Sequence, residues 1–307
     1  MFELRQYSLL FLTATIWGSG FIGQKLGVEY IPSFAFTFYR TLIGGLFLIP
    51  VILFLKHQAI KHNKKSRTSS MRMFILGSLS CGFCLILGES LQQFGLVHTD
   101  VNKASFITSL YMIFVPVIGF VLGHKTSIKI LFCLLLSCIG LFLFCVKDGL
   151  ALQRGDFLVL LCAIAFAYHI LVIAYFINHV DGVLLSCGQF FCASAMGLIM
   201  MLLTEVPSVE NLKAALPALL YVGIMSNGVA YTLQIVAQRG INPTIASLIM
   251  SLESVMGAFF GVICLDEIIS NREMLGALLM FTAVILTQVK LTFFRKSKKS
   301  ADLTENR

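Results

Sequence analysis

Three charged side chains lie inside long apolar runs of this sequence: Arg40, Glu89 and Glu253. If these runs cross a bilayer as helices, a charge near the bilayer centre costs roughly 2.5–3.5 kcal/mol. Such a group persists where a helix-bundle interior, a partner of opposite charge or water stabilises it. The three residues are therefore the first candidates for binding a substrate or a proton.

Arg40 and Glu89 lie at similar depths in their runs, and each has two interpretations. Arg40 either extends its guanidinium to the lipid headgroups or binds a substrate carboxylate or Glu89. Glu89 either forms a structural salt bridge with Arg40 or binds a substrate amine or a proton. Lys103, at the same end of the membrane, either competes with Arg40 for Glu89 or is an exposed basic residue at the outer rim that reports only the topology.

Glu253 is predicted to lie nearest the middle of the membrane, close to Ser247, Ser251, Ser254 and Gly257. Small residues let helices approach closely, so a protonated Glu253 bonded to a neighbouring helix is one interpretation. Apolar surroundings disfavour the charged form of a carboxyl group, so a substrate or proton site is the other. A proton-coupled carrier needs such a group.

Several neutral side chains inside the runs extend the candidate set. Trp17 lies near the middle of the first run, away from the interfaces where tryptophan is common. Trp17 has two interpretations: its indole either forms a cavity wall or stacks on a cationic ligand, or it packs in the core. The others either bond to a neighbouring helix or contact a substrate, and they are Gln92, Tyr111, His169, Gln189, Asn227 and Gln234.

The composition requires a bilayer as the solvent for these runs. Of the 307 residues, 58% are hydrophobic and 12% are charged, and the mean hydropathy is +0.89. A soluble domain carries about 25% charged residues, and the alternation of a membrane barrel is missing. Because a helix crosses the hydrocarbon core with about 20 residues, we predict ten spans, near 7–25, 34–55, 72–96, 101–122, 129–147, 156–177, 184–204, 214–238, 243–264 and 272–293.

The basic residues indicate the orientation of the spans. With the N-terminus in the cytoplasm, 16 of the 23 Lys and Arg residues fall on the cytoplasmic side and six in the outer loops. This distribution follows the positive-inside rule and predicts that both termini are cytoplasmic, in a bacterial inner membrane. The charge of +8 comes largely from clusters beside spans, at 56–72 and 290–299, and does not indicate nucleic-acid binding.

Motifs for enzymatic or metal chemistry are missing. The sequence contains no HExxH, GxSxG or Walker A motif, and its histidines do not cluster. All nine cysteines lie in apolar stretches, and Cys81 and Cys84, although spaced as CxxC, are interpreted as packing residues. We expect no enzyme activity, no cofactor and no metal.

An internal repeat relates the two halves of the chain. A shift of 142 residues aligns 104–110 with 246–252, with five identities in seven, and places Tyr111 on Glu253. Span four thus corresponds to span nine, and a unit of five helices makes the second copy enter from the opposite side. We predict an all-α fold of two inverted five-helix repeats, 1–147 and 148–293, followed by a basic cytoplasmic tail, 294–307.

Two stretches of small residues follow the matching segments, at 119–123 and 257–261. Glycines four residues apart allow close helix packing. They either pack the two halves together or pair two protomers, and we favour the first. A monomer and a homodimer are both compatible with the sequence.

The first span contains ATIWGSGFIGQKLG, with a Trp-Gly motif, and the ninth contains SLESVMGAFFGVICLDE. On these motifs the chain resembles the EamA branch of the drug/metabolite transporter superfamily. The first stretch is similar to the family's Trp-Gly motif, and the second is similar to its Glu-Pro and Gly-Glu pattern. Ser254 stands where the family often has proline, which predicts a softer kink in span nine, and Asp266 stands where glycine is common.

The resemblance implies a carrier that exports or exchanges amino acids, amines or other small metabolites, driven by protons or by a counter-substrate. It also implies a central cavity lined chiefly by spans one, three, four, six, eight and nine, in a chain surrounded by lipid. A membrane sensor or assembly factor that keeps the fold without transport is the alternative. The two differ in whether cargo crosses a sealed membrane.

Overall fold

The computed structural model describes residues 2–61, 70–99, 101–123, 126–145, 154–204, 206–265 and 269–288. These residues form helices joined by short turns, and no strand occurs among them. The N-terminal repeat contains α1 (Phe2–Val28), α2 (Ser33–Lys61), α3 (Met71–Val97), α4 (Val101–Ser109), α5 (Tyr111–Val121) and α6 (Ile128–Cys145). The C-terminal repeat contains α7 (Arg154–Phe176), α8 (Gly182–Thr204), α9 (Val209–Tyr221), a π-helix (Val222–Tyr231), α10 (Thr232–Gln238), α11 (Pro243–Met250), α12 (Glu253–Leu265) and α13 (Asn271–Gln288).

These helices group into ten segments that match the ten predicted spans. Helices α4 and α5 form span four, α9 to α10 form span eight, and α11 and α12 form span nine. Seven segments of the described chain are long and apolar enough to cross a membrane, and Ile128–Phe144 is a shorter apolar helix. Helices α1 and α13 have the length but are less apolar. The predicted fold class is confirmed, while the tail at 294–307 lies outside the described residues.

The helix packing follows the inverted repeat. Equivalent helices pack on each other, α2 on α8 and α6 on α13, and the contacts of α1 with α11 and α12 have their counterpart in those of α7 with α4 and α5. Ser109 Oγ lies 3.5 Å from the Ser251 carbonyl oxygen, and the Cys187 thiol donates to the Gly45 carbonyl at 3.7 Å, each across 142 residues. Residues related by the repeat shift meet only near the axis that relates the copies, so these two contacts locate that axis.

Spans four and nine are broken at equivalent positions, where they cross. The first break is at Leu110 and the second at Ser251 and Leu252. At both, a backbone N–H bonds three residues back, Leu110 to Ile107 and Leu252 to Ile249, as in a tightened 3₁₀ turn. This turn interrupts span nine without a proline, so Ser254 does not remove the break, and the softer kink stays a prediction.

Two glycine pairs bring the repeats close together. A Cβ atom added to Gly18 would lie 2.6 Å from the Gly257 nitrogen, and one added to Gly140 would lie 2.6 Å from the Gly276 oxygen. Both contacts join a helix of the first repeat to one of the second. Gly257 thus packs the halves of one chain together, as favoured from the sequence, and Asp266 lies outside the described residues.

Candidate functional site

A central cavity lies where the two repeats meet. Helices of both repeats form its wall. The spans implied by the family resemblance (one, three, four, six, eight and nine) all contribute, and α2 contributes in addition. Of the ten candidates for a substrate or proton site, eight line it: Trp17, Arg40, Glu89, Gln92, Tyr111, His169, Gln234 and Glu253. Gln189 and Asn227 are fully buried outside this wall, and Asn227, in the π-helix, packs against Gly44 of α2.

Arg40 and Glu89 form a buried ion pair at one end of the cavity. Arg40 Nε donates to Glu89 Oε2 at 3.0 Å, and Arg40 Nη1 donates to Gln24 Oε1 at 2.8 Å. Both charged side chains are almost completely buried, at 2% and 1% exposure. Gln93 fixes α1 against α3, since its Nε2 donates to the Gln24 carbonyl at 3.1 Å. The guanidinium therefore points inward and does not reach towards the headgroups.

Glu253 is the first residue of α12, directly after the break in span nine. Ser109, at the other break, donates from Oγ to Glu253 Oε1 at 3.4 Å and lies 2.7 Å from Ser254 Oγ. The Ser254 hydroxyl in turn donates to the Ser105 carbonyl at 3.2 Å. Tyr111 lies next to the carboxyl group. The crossing of the two broken spans thus presents a carboxyl group to the cavity within a serine cluster.

Aromatic side chains form another part of the wall. The rings of Trp17 and Tyr231 meet edge to face at 4.7 Å between centroids, and the His169 ring lies 5.8 Å from Tyr231. His169 Nε2 pairs with Gln189 Oε1 at 2.9 Å. Gln189 therefore positions His169 from outside the cavity wall.

Seven further residues line the cavity: Phe21, Gln24, Thr108, Phe166, Ile170, Ser226 and Tyr231. Tyr231 could have been predicted as a lining residue from the repeat. The shift of 142 residues aligns Tyr231 with Glu89 in the same way that it aligns Glu253 with Tyr111. The two repeats therefore each contribute one acid and one phenol, at exchanged positions. Gln92 and Gln234 are likewise related by this shift, and both line the wall.

Polar contacts tie the helices together at the two ends of the bundle. At the predicted outer end, Lys103 Nζ lies 2.5 Å from Asp156 Oδ2, and the Thr99 hydroxyl donates to Asp156 Oδ1. Lys103 thus pairs with Asp156 and not with Glu89. At the predicted inner end, Gln6 Nε2 donates to the carbonyls of Val236 at 3.1 Å and Arg239 at 3.3 Å.

The cavity is small and its wall keeps unused hydrogen-bonding capacity. Its volume is about 30 Å³, whereas pockets for drug-sized ligands measure roughly 300–1,000 Å³. Among the described residues, five buried wall atoms make no hydrogen bond of ordinary geometry: Trp17 Nε1, Arg40 Nη2, Glu89 Oε1, Tyr111 Oη and Gln234 Oε1. Buried polar atoms are normally paired, so these five are suited to contact a bound molecule.

Metal-binding geometry is missing from the described part of the chain, where no group of three or more His, Cys, Asp or Glu side chains is placed to hold an ion. The described cysteines are free thiols.

Comparisons with known proteins agree with this architecture. The EamA-like transporter family matches residues 4–146 and again 153–289. An uncharacterized transporter of Archaeoglobus fulgidus is 29% identical over 283 residues, which cover 92% of this chain and 85% of the relative. The uncharacterized transporter YoaV of Bacillus subtilis is 27% identical over 287 residues, which cover 92% of this chain and 95% of the relative.

A crystal structure of another protein shares the fold, with a TM-score of 0.70, 14% identity, and coverage of 92% of this chain and 96% of that one. The resemblance inferred from the sequence motifs is confirmed by the two family matches. This multi-pass membrane protein belongs to the EamA-like transporter family.

Proposed function

We propose that this protein is a secondary carrier that moves a small metabolite out of the cell across the inner membrane by alternating access. The cargo class is an amino acid, an amine or a related compound. The proton gradient drives the export, and both termini face the cytoplasm.

The observation that supports this proposal most strongly is the position of the cavity. Its wall is shared between two inverted repeats, and it lies at the crossing of the broken spans four and nine. Carriers with inverted repeats bind cargo near the membrane midplane at discontinuous helices. Exchanging the conformations of the two repeats then opens the same site to either side of the membrane.

Because the cavity is small, the exchange between conformations must enlarge it before cargo can enter. A space of about 30 Å³ admits small molecules only if the surrounding helices separate. The contacts of Asp156 at one end and of Gln6 at the other must then open in turn, so that the site never faces both sides at once. This conformation corresponds to a state between the two open ones.

Glu253 is the group to which we assign the coupling proton. It is 3% exposed, and burial away from water disfavours a charged carboxylate that has no counter-charge. A carboxyl group that gains and loses a proton as the surrounding helices move can link the proton gradient to cargo movement. Ser109 and Tyr111 hold it at the crossing of the two spans.

Transport in sealed proteoliposomes tests the proposal. The purified protein is reconstituted, a pool of labelled amino acids and amines is supplied, and flux is measured with and without a proton gradient. Glu253→Gln is compared with wild type and with Glu210→Gln, an exposed position in the first turn of α9. We expect gradient-dependent flux in wild type and Glu210→Gln, and its loss in Glu253→Gln.

The other outcomes separate the parts of the proposal. Flux that survives Glu253→Gln keeps the carrier and removes Glu253 from proton coupling. Flux that ignores the proton gradient removes coupling but keeps the carrier. Absence of flux for every compound in the pool favours the sensor or assembly factor over the carrier.

A further inference from the structure

The residues of the cavity wall also restrict the charge of the cargo, and this inference rests on the proposed function. We propose that the site selects an organic cation with one net positive charge, an amine with an aromatic or apolar body, and that Glu253 is its counter-charge. A free carboxylate on the cargo is not needed and weakens binding.

The count of charges in the wall is the first step. With His169 neutral, the lining side chains of the cavity include one cation, Arg40, and two acids, Glu89 and Glu253. Buried charges in proteins are stable when they are paired with opposite charge. A wall of this composition is therefore balanced by one additional positive charge.

The positive charge of Arg40 is already used within the protein. Its guanidinium bonds Glu89 at 3.0 Å and Gln24 at 2.8 Å, with both partners buried. Although Arg40 Nη2 has no partner among the described residues, a carboxylate placed on it would bring a second anion beside Glu89. Zwitterions and anions are therefore disfavoured relative to a cation of the same shape.

Glu253, in contrast, is suited to be ionised when a cation arrives. It is the first residue of α12, where the helix dipole stabilises negative charge, and the Ser109 hydroxyl donates to it. The contacts recorded for its carboxyl group come from the hydroxyl-bearing side chains of Ser109 and Tyr111, which do not neutralise it. An ammonium group supplies the missing positive charge.

The remainder of the wall suits an ammonium group attached to a flat or apolar body. Gln234 Oε1 is a buried acceptor without a donor in the described chain, Glu89 Oε1 makes no hydrogen bond of ordinary geometry beside Asn227, and an ammonium has three N–H groups to offer. The edge-to-face rings of Trp17 and Tyr231 lie on the same cavity. Aromatic rings attract cations and pack against apolar bodies.

The chain provides a reporter of binding at this site. Trp17 is the single tryptophan among the 307 residues, and it lines the cavity. Its fluorescence in purified protein is titrated with four probes that share a phenyl ring and a two-carbon linker. They are 2-phenylethylamine (cation), phenylalanine (zwitterion), 3-phenylpropionate (anion) and 2-phenylethanol (neutral).

We expect 2-phenylethylamine to bind about 10- to 100-fold more tightly than each of the other three probes, as for loss of a hydrogen bond to a charged group. Tighter binding of phenylalanine would overturn the inference, since it would assign Arg40 to a cargo carboxylate. Equal binding of all four, or no response to any, would overturn it as well.

Two variants locate the selectivity on one side chain. Glu253→Gln keeps the shape of the side chain and removes its charge, and we expect it to bring 2-phenylethylamine down to the affinity of 2-phenylethanol. Glu210→Gln removes an exposed acid and should leave the preference intact. If Glu253→Gln keeps the cation preference, Glu253 is not the counter-charge. The wild-type ranking tests the charge preference even if this variant fails to fold.

Binding and flux fail independently in this design. A cation that binds in the Trp17 titration but does not cross proteoliposomes contradicts the carrier and leaves the charge selectivity in place. Flux of a zwitterion in preference to the cation supports the carrier and overturns the selectivity.

Discussion

Arg40 Nε lies 3.0 Å from Glu89 Oε2, and this pair joins α2 to α3 within one repeat while both side chains line the cavity between the repeats. Removing either partner leaves the other buried without its counter-charge, which costs about 3–5 kcal/mol. The pair therefore contributes to the fold and to the site at the same time.

The two single variants of this pair should differ in stability. Arg40→Met leaves a carboxyl group that can neutralise by taking up a proton, whereas Glu89→Met leaves a guanidinium that stays charged. We expect Glu89→Met to be the less stable of the two, and the double variant to be closer to wild type than the sum of the single losses predicts. The measurement is the fraction of protein that stays monodisperse in detergent after heating. Simple additivity would contradict the pairing.

Two glycines of α1, Gly18 and Gly20, should respond differently to an added methyl group. In Gly18→Ala the new Cβ would lie 2.6 Å from the Gly257 backbone nitrogen, so α1 and α12 must separate. Overpacking of this kind costs about 1–3 kcal/mol. Gly20→Ala is the control, because its Cβ would lie 3.6 Å from Ser226 in ordinary contact, and alanine favours helix by about 0.5–1 kcal/mol. Thermal stability that falls equally in both variants would argue against the close approach.

Proline should be tolerated at one position of span nine and not at another. Ser254 is the second residue of α12, and a helix accepts proline in its first turn. We expect Ser254→Pro to cost about 1 kcal/mol, mainly through its lost hydroxyl bonds to Ser109 and Ser105. Ser247→Pro, inside α11, should cost about 3 kcal/mol or more. Expression and heat resistance of the two variants provide the comparison, and equal damage would contradict the position of the break.

The orientation predicted from the basic residues can be tested with reporters. Green fluorescent protein fused after Arg307 should fluoresce and alkaline phosphatase fused there should be inactive, because the C-terminus is expected in the cytoplasm. Insertion of the phosphatase after Gly149, in a predicted outer loop, should give an active enzyme. The reverse activities would invert the topology and exchange the inner and outer ends of the cavity.

Much of the fold was predictable because membrane helices are encoded by length and composition. Span three was predicted at 72–96 and is Met71–Val97, because its whole run is apolar. Span two was predicted to end at 55 but continues to Lys61, since a helix does not end where its hydropathy falls. The inverted plan was predictable because the two copies still share recognisable residues around Ser109 and Ser251. These residues lie where the copies meet near their common axis.

The site was predictable only in part, for a physical reason. Charged and polar residues such as Glu89, His169 and Glu253 are conspicuous in apolar runs because their burial is costly. Phe166 and Ile170 line the same cavity, but their types are equally suited to lipid or core. The break at Leu110 is marked by no glycine or proline, because tertiary packing decides it. The π-helix at Val222–Tyr231 contains Gly223 and Gly228, but glycines in a membrane span equally indicate close helix packing.

The breaks at Leu110 and at Ser251–Leu252 have a consequence for how this protein can change over generations. The breaks in the two crossing spans and two side chains of the proposed cargo site, Tyr111 and Glu253, lie within the same few residues, Ser109 to Tyr111 and Ser251 to Glu253. A substitution there changes the flexibility of a break together with the shape of the proposed site. Under the proposed function, cargo preference and transport rate are therefore expected to change together.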